Sequence, residues 1–188
     1  MVSGERDINI TWQPFSLAIK NDVLPGGGGS SDHAELYRSS HRVLRVLLAA
    51  HKGGAQLVDL YTDFGIARHL SGDDFTDELI ARIVQRRQLP AACAQAADDV
   101  SYDSAIRASM NEALELTGQD VGVPIIVFEN KDGSKNGYFG PVLQTLPDLE
   151  ESLALWDGLS ALAANTNFYE LKRTRPSGNP DVYSTAKC

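Results

Sequence analysis

The period of the apolar residues changes three times along this chain, and these changes limit the folds open to it. Asp7 to Gln13 alternates as a half-buried strand does, with Ile8, Ile10 and Trp12 on one face. Pro14 should end the pairing of this strand, because proline donates no backbone hydrogen bond. Helical patterns follow, and then a second strand-like segment. The order predicts a mixed α/β fold.

Every segment from Asp32 to about Thr117 has a helical pattern. Val43, Val46, Leu47 and Ala50 recur at i, i+3, i+4 and i+7, which lines one apolar face of a helix. Glycines directly after this stretch should end the helix. Further helices are predicted over 57–69, from near Asp74, after Pro90, and from a cap at Ser101 to Gly118.

The pattern returns to strands after Asp120. The run VPIIVFEN is short, apolar and rich in β-branched residues, and Asp132-Gly133 and Asn136-Gly137 are dipeptides that favour hairpin turns. Tyr138 to Leu143 is the predicted returning strand, at an edge or bent because of Gly140-Pro141. An amphipathic helix should follow, marked by Leu149, Leu153, Trp156, Leu159 and Ala163.

Two segments are predicted to lack regular structure. Gly26 to Gly29 with Ser30 and Ser31 has the composition of a flexible loop, and an engineered linker has the same composition. The polar residues from Pro176 onward are predicted to be a mobile tail.

Charge and hydropathy exclude several classes of partner. The 188 residues include 17 Lys+Arg and 25 Asp+Glu, so the net charge of -8 disfavours attraction to nucleic acid or anionic lipid. No apolar run approaches the roughly 20 residues of a membrane span. The first residues lack the apolar core of a secretory signal, so we expect a cytoplasmic protein.

Cysteine and histidine spacing gives no metal site. Cys93 and Cys188 form neither a C-x-x-C pair nor a zinc spacing, so no metal is predicted. Cys93 lies among alanines, and we expect an inert buried thiol rather than a nucleophile. The histidines have no ligand spacing and are predicted on helix surfaces: His33, His41, His51 and His69.

Four stretches carry a resemblance to a known family. They are DINITWQPFSLAIKN (7–21), DVGVPIIVFEN (120–130), YFGPVL (138–143) and FYELKRTRP (168–176). In them the chain resembles DsbA-family thioredoxin-like oxidoreductases, most of all the actinobacterial mycothiol-dependent nitroreductases. The resemblance implies an α/β fold with a thioredoxin-like, DsbA-type sheet and an inserted all-helical domain.

The resemblance also sets the expected domains. Residues 1–31 and 118–175 should form a partial thioredoxin-like domain, 32–117 the inserted helical domain, and 176–188 a flexible tail. The family's first strand and its Cys-Pro-x-Cys-like motif on the active-site helix have no counterpart in this sequence. We therefore expect that Met1 is an internal methionine of a longer protein.

The function that the resemblance implies is thiol chemistry. It points to a thiol-disulfide oxidoreductase or mycothiol-dependent reductase that acts on a small-molecule or disulfide substrate. Mycothiol or a similar low-molecular-weight thiol is the implied electron donor. No catalytic residue is identified in this chain, so little or no activity is expected from it. Two alternatives stay open: a glutathione-transferase kappa-like isomerase, and a redox-inactive binding module.

The expected substrate site is the loop before the second strand-like segment. The resemblance places a cis-proline at Pro124, and it makes Val123 and Pro124 substrate-binding residues; a trans proline that only begins a strand is the alternative. Asn21 should lie near the mouth of the same cleft, although an asparagine in a turn that bonds its own backbone explains it equally well.

The missing strand suggests how the sheet would be completed. In the family this strand lies between the segments matched by Asp7 to Gln13 and Ile125 to Glu129. Open strand edges recruit other strands. We therefore expect either a homodimer or pairing of Ile8 to Trp12 with Ile125 to Phe128.

Overall fold

The structure is a computed structural model that describes residues 1–175 and 181–183. Its residues form two compact units. Met1–Thr11 with Asn111–Cys188 is called the sheet unit, and Trp12–Met110 the helical unit. The predicted tail from Pro176 lies outside the described residues except at 181–183, and the domain boundaries inferred from the resemblance stay a prediction.

The helical unit is built from short and medium helices, as the apolar pattern predicts. Its α-helices are α1 (Leu17–Lys20), α2 (Ala34–Lys52), α3 (Leu57–His69), α4 (Asp77–Arg86), α5 (Ala92–Gln95) and the part of α6 (Asp103–Thr117) up to Met110. Two 3-10 turns, Ala96–Asp98 and Val100–Tyr102, connect α5 to α6.

The predicted apolar face of α2 is buried in the core of this unit. Val46 and Ala50 are fully inaccessible to solvent, and Leu60 and Phe64 of α3 pack in the same cluster. The apolar face of α4 is buried as well, at Leu79, Ile80, Ile83 and Val84. Burial of such side chains stabilises a fold by roughly 1.5–3 kcal/mol each.

Two predicted helix starts are displaced. The side chain of Thr76, rather than Asp74, caps α4, because its hydroxyl accepts a hydrogen bond from the Leu79 amide at 3.3 Å. Ser101 does not cap α6. Its amide donates to the Asp99 carboxylate at 2.9 Å, inside a 3-10 turn that precedes the helix.

The predicted flexible glycine loop is a hydrogen-bonded turn. We call Leu24–Gly29 the glycine turn. The Gly28 amide donates to the Asp22 carboxylate at 2.9 Å, and the Gly29 amide donates to the Asp22 carbonyl oxygen at 2.9 Å. A Cβ on Gly27 or Gly29 would overlap backbone atoms, so the glycines permit a close approach that other residues would prevent.

The sheet unit contains one antiparallel hairpin. β1 (Ile125–Glu129) pairs with β2 (Lys135–Phe139), with Ile125 opposite Phe139. Asp132-Gly133 lies in the connecting turn, as predicted. Asn136-Gly137 does not form a turn but lies within β2, so the returning strand begins and ends earlier than predicted.

The hairpin packs against the predicted C-terminal helix, α7 (Leu149–Ala163). The ring of Phe128 lies 5.7 Å from that of Trp156, measured between centroids. The side-chain amide of Asn136 donates to the Ala163 carbonyl oxygen at 2.8 Å, which satisfies an acceptor in the last turn of α7.

The predicted strand over Asp7 to Gln13 is wrong. These residues have no regular secondary structure, and within the described residues β1 pairs only with β2, so the alternative pairing of Ile8 to Trp12 with β1 is absent too. Alternation alone does not make a strand, because the backbone groups need a neighbouring strand to bond.

In its described part, the protein is a mixed α/β structure with seven α-helices and a two-stranded sheet. This agrees with the predicted α/β class. The DsbA-type sheet, and the strand and helix missing from it, remain predictions.

Candidate functional site

The loop that leads into β1 contains the cis bond predicted at Pro124. The Val123–Pro124 peptide bond is cis, which confirms that expectation, and Gly140–Pro141 is cis as well. The Gly140 amide donates to the Pro124 carbonyl oxygen at 2.8 Å. This bond extends the β1–β2 pairing by one step beyond Ile125 and fixes the loop to the hairpin.

Val123 presents unused hydrogen-bonding groups at this loop. The residue is 41% exposed, and among the described residues its backbone N–H and C=O make no hydrogen bond. Backbone groups of this kind bond readily to an amide of a ligand that lies alongside in an extended conformation.

An aromatic ring and a cation adjoin the loop. A Cβ on Gly122 would stand 3.5 Å from the ring of Phe139, and the guanidinium of Arg175 lies 5.6 Å from the centre of the same ring. Phe139 is partly exposed. Within the described residues, an aromatic ring therefore lies beside the residue that precedes Val123, with a guanidinium near that ring.

Asn21 lies in the helical unit, whereas Val123 and Pro124 lie in the sheet unit. Asn21 follows the last residue of α1 and is exposed. Its side-chain amide donates to the Leu17 carbonyl oxygen at 2.8 Å, so it bonds its own backbone as the alternative interpretation requires. Its side-chain oxygen has no such partner among the described residues, and a role in binding stays a prediction.

Cys93 is buried, as predicted. It is 7% exposed on α5, and burial raises the pKa of its thiol, which disfavours the thiolate that nucleophilic chemistry requires. It lines a cavity of about 220 Å³ in the helical unit, together with Ala49, Ala50, Gly53, Leu89, Pro90, Ala92 and Tyr102. Cys188 lies outside the described residues.

A buried polar network in the helical unit was not anticipated from the sequence. His41 was predicted on a helix surface, and this is wrong, since it is 1% exposed. Its Nδ1 lies 2.9 Å from Ser16 Oγ and its Nε2 lies 3.0 Å from Asp103 Oδ1. Arg45 donates to both carboxylate oxygens of Asp103, at 2.7 and 2.9 Å, and to the Ala97 carbonyl oxygen at 3.1 Å.

The ionisation of this network follows from its burial. Burial lowers the pKa of His41, and the carboxylate of Asp103 only partly offsets that effect. Burial alone would raise the pKa of Asp103, but hydrogen bonds from Arg45 and its charge outweigh burial, and the pKa is lowered. The favoured state is a neutral imidazole between a hydroxyl and a carboxylate that is paired with a guanidinium.

Serine, histidine and aspartate in a row suggest a hydrolase triad, but this network does not fit one. A nucleophilic serine must reach its substrate, and Ser16 is 1% exposed. Its hydroxyl also accepts a hydrogen bond from the Ile19 amide at 3.2 Å, as the cap of α1. The arrangement is therefore structural.

The spacing of two residues in α2 could have revealed the network. His41 and Arg45 are four residues apart and so share one helix face, beside the apolar face that begins at Val43. Searching the histidines only for metal-ligand spacing missed this relationship. The partner on α6, Asp103, is far away in sequence, and nothing in the local pattern identifies it.

Two further properties of the described residues bear on function. No helix within residues 1–175 and 181–183 is long and apolar enough to cross a membrane. Over the same residues, no group of three or more His, Cys, Asp or Glu side chains is arranged to hold a metal ion.

Comparison with known families adds to this geometry. The family model described as Rv2466c-like, mycothiol-dependent nitroreductase Rv2466c, matches residues 1–173. The match includes the cis-proline loop, the hairpin, both helices that flank it and the whole helical unit. The chain therefore belongs to the Rv2466c-like family of mycothiol-dependent nitroreductases.

Proposed function

We propose that this protein binds mycothiol, or a thiol of similar structure, for the reduction of small electrophilic acceptors. In such a reaction two thiols become one disulfide, and the acceptor gains two electrons and two protons. A nitro group reduced in this way becomes a nitroso group and water. The family match supports this class of reaction, and the loop at Val123 supports the binding step.

The backbone groups of Val123, which bond to none of the described residues, carry the proposal. A low-molecular-weight thiol built on an acylated cysteine has an amide next to its sulfur. The N–H of that cysteine can donate to the Val123 carbonyl oxygen, and the carbonyl oxygen of the same cysteine can accept from the Val123 N–H, as in the pairing of two extended strands. The neighbouring Pro124 is fixed by Gly140, so the position of Val123 is set before a ligand arrives.

The residues around the loop fit such a ligand. Phe139 and the side chain of Val123 offer apolar contact, and Arg175 supplies a donor for the hydroxyl or carbonyl oxygens of the ligand. The smaller acceptor molecule would contact the same apolar surface. Asn21 is the remaining candidate, through its side-chain oxygen.

No nucleophile for the reaction is identified among residues 1–175 and 181–183. Cys93 is buried and its thiol is disfavoured as a thiolate, and no C-x-x-C pair occurs in the sequence. We propose that this chain alone binds the thiol without turnover. A redox-inactive binding module is the second candidate function, and the burial of Cys93 favours it.

Binding is tested by titrating the purified chain with mycothiol disulfide while backbone amide resonances are followed by NMR. We expect the largest shifts at Val123, Ile125 and Gly140. Val123→Asp places a charge on the binding surface and should weaken binding at least tenfold. Leu155→Asp, at a similarly exposed apolar residue of α7, is the matched control and should bind normally. Shifts absent from this loop would refute the binding site.

Turnover is tested separately, with mycothiol and a nitroarene as substrates. We expect no reduction above the rate without protein, for the chain and for Cys93→Ser alike. Reduction by the chain that Cys93→Ser abolishes would show that Cys93 is the nucleophile. That result would overturn the proposal for turnover but not the proposal for binding.

A homodimer and a cytoplasmic location remain part of the proposal. Each strand of the two-stranded sheet has one edge that no described strand covers, and an open edge can pair with a second copy. Sedimentation equilibrium across a hundredfold range of concentration tests this, and a monomer throughout would refute the dimer.

A further inference from the structure

One imidazole connects three segments of the helical unit. His41 lies on α2, Ser16 caps the start of α1, and Asp103 begins α6. The two contacts of His41, at 2.9 and 3.0 Å, use both ring nitrogens, and both His41 and Ser16 are 1% exposed. No water can replace either contact without opening the site.

The hydrogen bonds around His41 fit its neutral form. The Asp103 carboxylate can only accept, so Nε2 carries a proton and donates to it. In the neutral ring Nδ1 is an acceptor, and the Ser16 hydroxyl donates to it. The same hydroxyl oxygen accepts from the Ile19 amide. In this state every polar group of the contact is satisfied.

Protonation of His41 leaves one hydrogen-bond donor of this contact without an acceptor. With a proton on Nδ1, the imidazolium donates to the Ser16 oxygen, and the Ser16 hydroxyl proton must turn to another acceptor. Among the described residues, the hydrogen bonds of Ser16 offer none. A buried donor without an acceptor costs about 1–3 kcal/mol, which favours opening of the contact.

The charges around His41 come from α2 and α6. Asp103 attracts a proton, whereas Arg45 and Arg107 repel it. On α1 the only ionisable side chain is Lys20, which is also a cation. The single carboxylate is already paired with Arg45 through two hydrogen bonds, so little of its charge is left to stabilise an imidazolium.

The protonation state of His41 affects the segment after Ser16, because the Ser16 hydroxyl contacts His41 and also caps α1. α1 is only one turn long, and its capping bond to Ile19 depends on the orientation of the Ser16 hydroxyl. Beyond α1, the glycine turn is held by Asp22, through its carbonyl oxygen and its carboxylate. A short helix of this kind has little stability of its own, so loss of the cap loosens the turn as well.

We propose that His41 is a proton-sensitive latch that holds α1 and the glycine turn in place at neutral pH and releases them on acidification. The latch does not depend on the proposed function. Since opening is linked to the uptake of one proton, the open fraction should rise by up to tenfold for each pH unit below about 6.5.

Hydrogen exchange of the 188-residue protein tests the latch directly. Protection factors at the Ile19 and Gly29 amides, corrected for the intrinsic rate at each pH, should fall as the pH goes from 7.5 to 5.5. Protection at Ile19 should stay below that of amides in the middle of α4 throughout this range, because Ile19 exchanges by local opening and the middle of α4 only by global unfolding. Protection at Ile19 that does not change would overturn the proposal.

Two variants and one titration complete the test. His41→Asn keeps an acceptor near Nδ1 but cannot be protonated, so the pH dependence at Ile19 should disappear. His69→Gln, at an exposed histidine of α3, should keep it. If His41→Asn does not fold, the wild-type His41 resonance decides: titration below 6.5 supports the latch, and titration at or above that value overturns it.

Discussion

A Cβ atom on Gly27 would stand 2.2 Å from the carbonyl oxygen of Asp22. No real Cβ approaches a backbone oxygen so closely, so a side chain at this position must displace the turn. Asp22 also accepts the amides of Gly28 and Gly29, which places it at the centre of the glycine turn. The glycines here are therefore required by contact with one residue, and not by flexibility.

Gly27→Ala should destabilise the protein by about 1–3 kcal/mol, because overpacking against backbone forces local rearrangement. Gly28→Ala is the control, since its Cβ would meet nothing closer than 3.8 Å. It should change the free energy of unfolding by less than about 1 kcal/mol. The change should be stabilising, because alanine reduces the conformational freedom of the unfolded chain. Urea denaturation of both variants measures the difference; equal effects would contradict the observed turn.

Asp103→Asn should destabilise the protein by about 2–4 kcal/mol, because it leaves the buried guanidinium of Arg45 without its counter-charge. The figure lies below that for a fully buried pair since the Asp103 side chain is 20% exposed. Asp98→Asn removes a carboxylate from Arg42 at the surface and should cost about 1 kcal/mol or less. Thermal and urea unfolding compare the two, and a similar loss in both would refute the role of burial.

The stability should fall in two stages as the pH falls. The pKa of His41 is lowered by folding, so the unfolded chain takes up a proton first, and stability decreases from about pH 6.5 downward. The pKa values of Asp63 and Asp103 are also lowered, because arginine hydrogen bonds outweigh burial. Their stabilisation is complete above the ordinary value of 3.8 and is lost below it.

Urea midpoints at pH 7.5, 6.5, 5.5, 4.5, 3.5 and 2.5 measure both stages. His41→Asn should remove the upper stage and leave the lower one. A midpoint that stays constant between pH 7.5 and 5.5 in the wild-type protein would contradict the lowered pKa of His41.

Gly137→Ala should destabilise the sheet unit by about 1–3 kcal/mol, because the new Cβ would lie 2.8 Å from Leu116 Cβ and 3.0 Å from Thr117 Cγ2. Gly158→Ala, in the middle of α7 with open space around it, should stabilise the protein by roughly 0.5–1 kcal/mol. Thermal unfolding of the two variants should shift in opposite directions. A stabilising Gly137→Ala would show that β2 does not pack on the end of α6.

The helices of this protein follow from local sequence. Val43, Val46, Leu47 and Ala50 fall on one face whatever the rest of the chain does, because the helical period is set by the backbone itself. The hairpin turn at Asp132-Gly133 is local as well. The cis bond at Pro124 was predicted from a family resemblance and not from the period of the residues.

The tertiary structure decided the features that need partners distant in sequence. Asp7 to Gln13 has a strand pattern but no neighbouring strand among the described residues, so it forms none. In the sequence, His41 resembles any surface histidine of a helix. In the structure it contacts Ser16 and Asp103, which are 25 and 62 residues away. A repeating pattern records which face of an element is apolar. The burial and charge of a single polar side chain depend on which other segments pack against it, and the sequence near it does not contain that information.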